Sequence, residues 1–193
     1  MRTTDKCSGV IFVGTLRYFA IFLSVHSVAE NQDGFSLAVG PSAHYANVTV
    51  FNQSSRQVYE SVGVGVYGDA QFVLDERWSL NPYLQTAWEH SHGQLNTPLL
   101  NSEGGLQLRR WYNNFYLGGA LNFSSEQVLQ HQGIVRADFG PGVSAVFGWE
   151  NPDGLTYGLQ LDAPQSGNGG VSHRAAVAVW CGYRWHQGNL HEK

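Results

Sequence analysis

Hydrophobic and polar residues alternate with a period of two along most of the chain from residue 30 onward. In the segment Val62–Phe72 the even positions, such as Val64, are apolar or small, and the odd positions include the polar residues Asp69 and Gln71. No stretch of this region, residues 30–193, keeps apolar residues at helical spacing for three turns. Alternation of this kind is typical of β-strands with two different faces. The pattern therefore predicts an all-β protein.

The alternating segments number eight, so residues 30–193 provide about 20 residues for each strand and its connection. Crossing a bilayer at a tilt takes about 9–11 residues. The segments are Phe35–Phe51, Arg56–Leu74, Trp78–His92, Thr97–Trp111, Phe115–Ser124, Gly133–Trp149, Leu155–Asp162 and Val171–Trp185. An even number of antiparallel strands lets a barrel close with both chain ends on one side. We therefore expect an eight-stranded antiparallel up-and-down β-barrel.

The connections between these segments alternate in length. Every second connection is a tight turn rich in turn-forming residues: Asp75–Arg77, Tyr112–Asn114 and Glu150–Gly154. The others are polar and mostly longer: Asn52–Ser55, His92–Asn96, Ser124–Gln132 and Ala163–Gly170. Short turns at one end and longer loops at the other are typical of transmembrane β-barrels, whose short turns face the periplasm.

Side-chain size indicates which face of the strands points inward. The polar face is crowded with Gly, Ala and Ser, as a narrow interior requires, whereas Phe, Leu, Val and Trp on the other face would overfill it. Alternation places a near-balanced set of charges on the polar face: Asp69, Glu89, Glu103, Arg109, Arg136, Asp138, Asp162, Arg174 and Arg184. Because an unpaired buried charge is costly, these residues are expected to form a paired network in the lumen.

Three charged or titratable residues, Glu60, His90 and Arg110, fall instead on the apolar face. All three are near strand ends, where lipid headgroups and water reach a transmembrane barrel. Four tryptophans lie at the level of the short turns: Trp78, Trp111, Trp149 and Trp185. They are expected to form an aromatic girdle at one membrane interface.

Composition agrees with a membrane barrel. Of the 193 residues, 42% are hydrophobic but only 13% are charged, about half of the usual charged fraction. A net charge of −4 gives no basic footprint for nucleic acid. The two cysteines, Cys7 and Cys181, form at most one pair, which excludes a disulfide-stapled scaffold.

The first 29 residues differ from the rest. Arg2, Lys6 and Arg17 precede the apolar run Tyr18–Val25, and small residues precede a cleavage position after Ala29. This arrangement predicts a secretory signal peptide over residues 1–29 and a single barrel domain over residues 30–193. A membrane anchor is the alternative, but the apolar stretch is shorter than the ~20 residues that a transmembrane helix needs.

With these features the chain resembles the small eight-stranded outer-membrane barrels of Gram-negative bacteria, the group of outer membrane protein A, the X and W types and the opacity proteins. The resemblance rests on the architecture and on two phrases, Ser79–Leu84 and Val177–Trp185. The second resembles a C-terminal insertion signal, although residues 186–193 follow it. The resemblance implies a bacterial outer-membrane location and recognition by the barrel assembly machinery.

The sequence contains two weak matches to a catalytic site. His44–Asn47 resembles the His-x-Ser-Asn phrase of the outer-membrane lipid A deacylases, but Ala46 takes the place of the nucleophilic serine. Glu89–His92 combines acid, base and hydroxyl, yet neighbouring strand residues point to opposite faces. His90 and His92 share a face and would bind a metal only with a third ligand. We therefore predict no catalytic, cofactor or metal site.

The favoured function is that of an integral outer-membrane barrel with a structural, adhesive or small-solute role and a lumen filled by side chains. Its expected partners are outer-membrane lipids and lipopolysaccharide, with no nucleic acid. Two alternatives stay open. One is a lipid A or phospholipid-modifying enzyme that uses His90. The other is a soluble periplasmic barrel that binds an apolar ligand. The sequence does not indicate an oligomeric state.

Overall fold

The computed structural model describes residues 35–52, 55–93, 96–130, 133–167 and 173–186. The expected signal peptide, residues 1–29, lies outside the described residues. Eight strands make up the described chain: β1 (Phe35–Asn52), β2 (Ser55–Val73), β3 (Trp78–Gly93), β4 (Pro98–Tyr112), β5 (Phe115–Gln130), β6 (Gly133–Glu150), β7 (Leu155–Ser166) and β8 (His173–His186). None of the described residues belongs to a helix that is long and apolar enough to span a membrane.

The strands form a closed barrel in which each strand pairs antiparallel with its neighbours in the sequence and β8 pairs with β1. Closure gives every strand two hydrogen-bonded neighbours and leaves no open sheet edge. The predicted eight-stranded antiparallel up-and-down barrel is confirmed. This is also the architecture implied by the resemblance to the small outer-membrane barrels.

Three tight turns lie at one end, which we call the short-turn end. In the first, the Asp75 carboxylate accepts hydrogen bonds from the backbone N–H groups of Arg77 and Trp78 at 2.7 and 2.9 Å. In the second, Asn113 adopts a positive φ of 58°, which asparagine tolerates better than most residues. Local side chains thus stabilise the turns that the sequence predicted.

The opposite end, the loop end, differs from the prediction. The segment Ser124–Gln132 was expected to be a loop, but β5 continues to Gln130 and β6 begins at Gly133. Similarly, β7 extends past Asp162 to Ser166. The polar residues that suggested loops, such as Glu126 and Gln165, are buried inside the barrel. Inside a polar lumen, a polar residue is therefore no signal for the end of a strand.

Two irregularities change which residues point inward. In β6, Gly140 and Pro141 together face Phe123 of β5, and in β7, Ala163 and Pro164 together face a single residue of β8. Each is a β-bulge, which is a position where a strand tolerates proline. Because each bulge adds one residue, the alternation of inward and outward side chains shifts by one on passing it.

The two faces of the barrel have opposite character. Inward side chains are mostly polar, charged or aromatic, and outward ones are mostly large and apolar. In β2, for example, the outward Val64 is 70% exposed, whereas the inward Tyr67 and Asp69 are buried. Outward valine, leucine and aromatic residues recur on every strand. The barrel is therefore polar inside and apolar outside.

Candidate functional site

The lumen contains most of the residues that alternation placed there. Six side chains of the predicted charge network are at most 1% exposed inside the barrel: Asp69, Glu89, Glu103, Arg109, Arg174 and Arg184. Asp162 is also buried in the lumen. Their positions follow from the period-two geometry of strands that have one face turned inward. The charges divide into two groups along the barrel axis.

The predicted lumen residues Arg136 and Asp138 lie beyond the β6 bulge. Phe139, next to Asp138, is buried in the lumen, and Asp138 itself is half-exposed. Alternation within the strand places Asp138 on the outward face, so its predicted position was wrong. The reason is the extra residue of the bulge at Gly140 and Pro141. The side chain of Arg136 lies outside the described part of the structure.

The group nearer the short turns, which we call the short-turn half, is centred on Asp69. One carboxylate oxygen of Asp69 pairs with Arg109 and the other pairs with Arg184, each at 2.8 Å between nitrogen and oxygen. Tyr67 donates its hydroxyl proton to Asp69 at 2.9 Å, and Arg184 also pairs with Glu150 at 2.6 Å. Two carboxylates therefore face two guanidinium groups, and the charge of this half is balanced.

The second group, the loop-side half, is centred on Arg174. Its guanidinium contacts Glu126, Asp162 and Glu103 at 3.1, 3.3 and 3.4 Å. Neutral side chains donate further hydrogen bonds to these carboxylates. Tyr83 donates to Glu103 at 2.7 Å. The fourth carboxylate of this half, Glu89, accepts from Asn101 at 2.9 Å. Three of the four carboxylates in this half thus share the Arg174 guanidinium, and Glu89 makes no ion pair with it among the described side chains.

Aromatic residues connect the two halves. Tyr67 stacks on Trp180 with ring centroids 4.2 Å apart, and both rings belong to a buried cluster with Tyr83 and Tyr116. Tyr116 also lies under the Arg109 guanidinium, at 4.4 Å from its ring centroid. Nearer the loop end, a second buried cluster includes Leu99, Phe139 and Tyr59. Rings and aliphatic side chains therefore occupy the lumen between the charged groups.

The lumen also holds a row of residues that sequence reasoning did not assemble. The Ser42 hydroxyl lies 2.9 Å from His44 Nε2, and His44 Nδ1 lies 3.9 Å from Glu89 Oε1. Serine, histidine and a carboxylate in this order form a nucleophile, base and orienting acid where a substrate reaches the serine. Ser42, His44 and Glu89 are all buried in the lumen, where they are part of its hydrogen-bond network. The signal was the spacing of Ser42 and His44 on one strand face.

The histidines near the loop end point outward. The His90 and His92 rings are 5.0 Å apart, and His90 Nε2 lies 2.8 Å from Asn96 Oδ1. Ser91 is buried on the opposite face, where its hydroxyl donates to the Thr97 carbonyl at 2.9 Å. His90 and Ser91 are therefore not brought together. No group of three or more metal-ligating side chains occurs among the described residues.

The four tryptophans of the predicted girdle do not all face outward. Trp149 and Trp185 are more than half exposed, and Trp78 is half-buried on the outer wall. Trp111 points inward, where it packs on Tyr116 and donates to the Ser79 hydroxyl at 2.8 Å. It shares the inward face with Arg109, two residues earlier in β4. The prediction was therefore wrong for Trp111, which helps to close the short-turn end of the lumen.

Comparison with known proteins gives structural matches alone. No family model and no curated protein matches the chain. The barrel is similar to the crystal structure of Ail, the attachment invasion locus protein of Yersinia pestis, with 11% identity and a TM-score of 0.49 over 80% of this chain and 100% of the other. It is also similar to the outer membrane protein OprG from Pseudomonas aeruginosa, with 11% identity and a TM-score of 0.39 over 79% of this chain and 95% of the other.

The structure of Ail with the heparin analogue sucrose octasulfate matches at 12% identity and a TM-score of 0.44, over 79% of this chain and 99% of the other. At identities of 11–12% and TM-scores below 0.5, these likenesses carry no functional information about this chain.

Proposed function

We propose that this chain is an integral β-barrel of the bacterial outer membrane, with a structural or adhesive role and no catalytic role. The observation that supports this most directly is the outer wall, where valine, leucine and aromatic side chains are exposed on every strand. In water, each exposed apolar side chain of this size would lose about 1.5–3 kcal/mol of stabilisation relative to a buried one. Lipid removes that penalty, and closure of the barrel gives each strand a hydrogen-bonded neighbour on both sides.

The lumen supports the same orientation. A soluble barrel would bury apolar residues and expose its charges, whereas this barrel buries arginines and carboxylates and exposes valines. A soluble carrier of an apolar ligand also needs an apolar cavity, but polar networks and rings fill this lumen. An eight-stranded barrel has an interior just wide enough for its side chains. We therefore expect weak ion conduction at most.

A hydrolytic function is not favoured by the geometry. His90 and Ser91 face opposite sides of the wall, and the Ser42–His44 pair is buried in the lumen. A lipid substrate in the surrounding bilayer would have to cross the barrel wall to reach Ser42. The role of the protein is therefore assigned to its outer surfaces, with outer-membrane lipids and lipopolysaccharide as neighbours and the barrel assembly machinery as the route of insertion.

The experiment is fractionation of cells that express the full chain, followed by gel electrophoresis of each fraction with and without boiling. A closed membrane barrel keeps its compact form in detergent until it is heated. We expect the protein in the outer-membrane fraction, with a band that migrates differently after boiling. A soluble periplasmic protein whose band does not shift would contradict the proposal and would favour the soluble-barrel alternative.

A further inference from the structure

We propose that the outward face of β4 near the short turns binds a membrane phospholipid through its phosphate group, with Arg110 as the phosphate-binding side chain. This inference rests on the proposed function, because it requires the outer wall to face lipid. It goes beyond the proposed function because it names the residue that binds the lipid, the chemical group that is bound and the end of the barrel where binding occurs. Four outward residues of β4 carry it: Leu106, Leu108, Arg110 and Tyr112.

Arg110 differs from the three arginines that the structure describes in the lumen. Arg109, Arg174 and Arg184 are each paired with at least one carboxylate. Arg110 forms no ion pair with any described side chain. Its Nε atom is buried, so an outside anion would bind at the terminal nitrogens of the guanidinium. Guanidinium groups bind carboxylates and phosphates in a planar, bidentate geometry. An anion supplied from outside the protein would complete the environment of Arg110.

Two aromatic rings hold this guanidinium on the outer wall. Its central carbon lies 5.2 Å from the ring centroid of Tyr112 and 5.6 Å from that of Trp78. Stacking against aromatic faces fixes the plane of an arginine and leaves its N–H edge free to bind an anion. The same rings lie at the level where tryptophan and tyrosine meet lipid headgroups. Arg110 is therefore placed at the depth of a lipid phosphate.

The surface leading away from Arg110 matches acyl chains. Leu108 and Leu106 follow it on the outer face of β4, and both are exposed. Arg110 is directly opposite Leu117 of β5, and Leu106 is opposite Leu121. Between these two leucines lies Gly119, opposite Leu108, which leaves a shallow gap in the outward row. From Arg110 to Leu106 the strip spans about 13 Å, since a strand rises ~3.3 Å per residue.

The strip matches the two parts of a phospholipid in order. The cation and the aromatic rings lie where the phosphate group would bind, and the leucines and the gap lie where the acyl chains would pack. A different role for Arg110 is to extend its charge into bulk water. That role predicts no preference among lipids. The phosphate-binding role predicts a preference for lipids that carry phosphate over lipids with the same acyl chains that lack it.

The experiment compares retained lipid on wild type, R110Q, R110K and R77Q by native mass spectrometry. Each protein is folded in detergent micelles and mixed with phosphatidylglycerol or with a glucosyl diacylglycerol of the same acyl chains. We expect R110Q to retain about fivefold less phosphatidylglycerol than wild type, the effect of one cationic side chain near a membrane surface. Retention of the phosphate-free lipid is expected to be equal in all four proteins.

R77Q is the matched control, because Arg77 is an exposed arginine in the adjacent turn, and it is expected to retain lipid as wild type does. R110K keeps the charge without the planar fork, so its retention should fall between those of wild type and R110Q. Equal phosphatidylglycerol retention by wild type and by heat-modifiable R110Q would overturn the inference. So would displacement of the lipid by inorganic phosphate, since the site would then belong to the free anion.

The two proposals fail differently. A wild-type protein that is absent from the membrane fraction contradicts the proposed function itself. A wild-type protein that is present there, with lipid retention that does not depend on Arg110, contradicts the phosphate site alone. If R110Q does not fold, R110K carries the test, and retention equal to that of wild type would then overturn the bidentate role of the guanidinium.

Discussion

The two halves of the lumen are built from the same residue types but with different charge balance. In the short-turn half, Asp69 lies between Arg109 and Arg184, and Glu150 pairs with Arg184. In the loop-side half, Arg174 alone serves three carboxylates, and Glu89 is held by neutral donors and lies 3.9 Å from His44. The first half has a second cation for its central acid, whereas the second half depends on one.

This difference shows that burial alone does not determine how much a lumen charge contributes to the free energy of unfolding. Where a buried carboxylate has two guanidinium partners, the loss of one leaves a pair in place. Where several carboxylates share one guanidinium, its loss leaves like charges together in a medium that screens them poorly. The two halves should therefore respond differently to the same kind of substitution.

The largest effect is expected from removing the shared cation. R174Q should lower the free energy of unfolding by about 3–5 kcal/mol, because it leaves buried carboxylates without a counter-charge. R109Q is the matched variant in the other half and should cost about 1–3 kcal/mol, since Asp69 keeps Arg184 at 2.8 Å. Urea unfolding of the barrel in lipid vesicles, followed by tryptophan fluorescence, measures both. Equal losses would contradict the asymmetry between the halves.

Neutralising one carboxylate is expected to change the free energy of unfolding less than R174Q does. The change should differ between the two halves. D69N removes the charge that two arginines face and leaves buried Arg109 without a carboxylate partner among the described side chains. It should destabilise the barrel by about 3 kcal/mol, the lower end of the range for a broken buried ion pair. E103Q removes one of three acids around Arg174, which relieves like-charge repulsion, so its effect should stay within ~1 kcal/mol of wild type. The same urea titration measures the pair. A loss for E103Q as large as that for D69N would show that Glu103 is needed as an anion.

The regular parts of the barrel were predictable from the sequence, because alternation along an uninterrupted strand fixes which side chains share a face. Asp69, Arg109 and Arg184 were assigned to the lumen in this way. The same rule, carried two residues past Arg109, indicates that Trp111 also points inward. The position of Trp111 beside a turn suggested the membrane interface instead, and in this case the strand geometry was the better guide.

The parts that were missed share one physical cause. A bulge adds a residue and reverses alternation, and the sequence marks its position only by a proline such as Pro141 or Pro164. Asp138 was therefore placed inward, and Phe139 was overlooked. The polar sequence around Glu126 predicts a loop, whereas β5 continues through it because its polar side chains are buried in a polar lumen. Ion pairing between distant strands, such as Arg174 with Glu126, depends on the register of all the strands between them, which alternation along each strand does not fix.

The central claim is that the outer wall of the barrel faces lipid, and Cys181 offers a direct test. Its thiol is exposed on the outer face of β8, two residues from Tyr183. In a C7S variant Cys181 is the single thiol, and a fluorophore attached there reports its own surroundings. After folding into vesicles, we expect strong quenching by lipids that carry a nitroxide on their acyl chains and little quenching by aqueous iodide. The reverse result would place the outer wall in water and contradict the account.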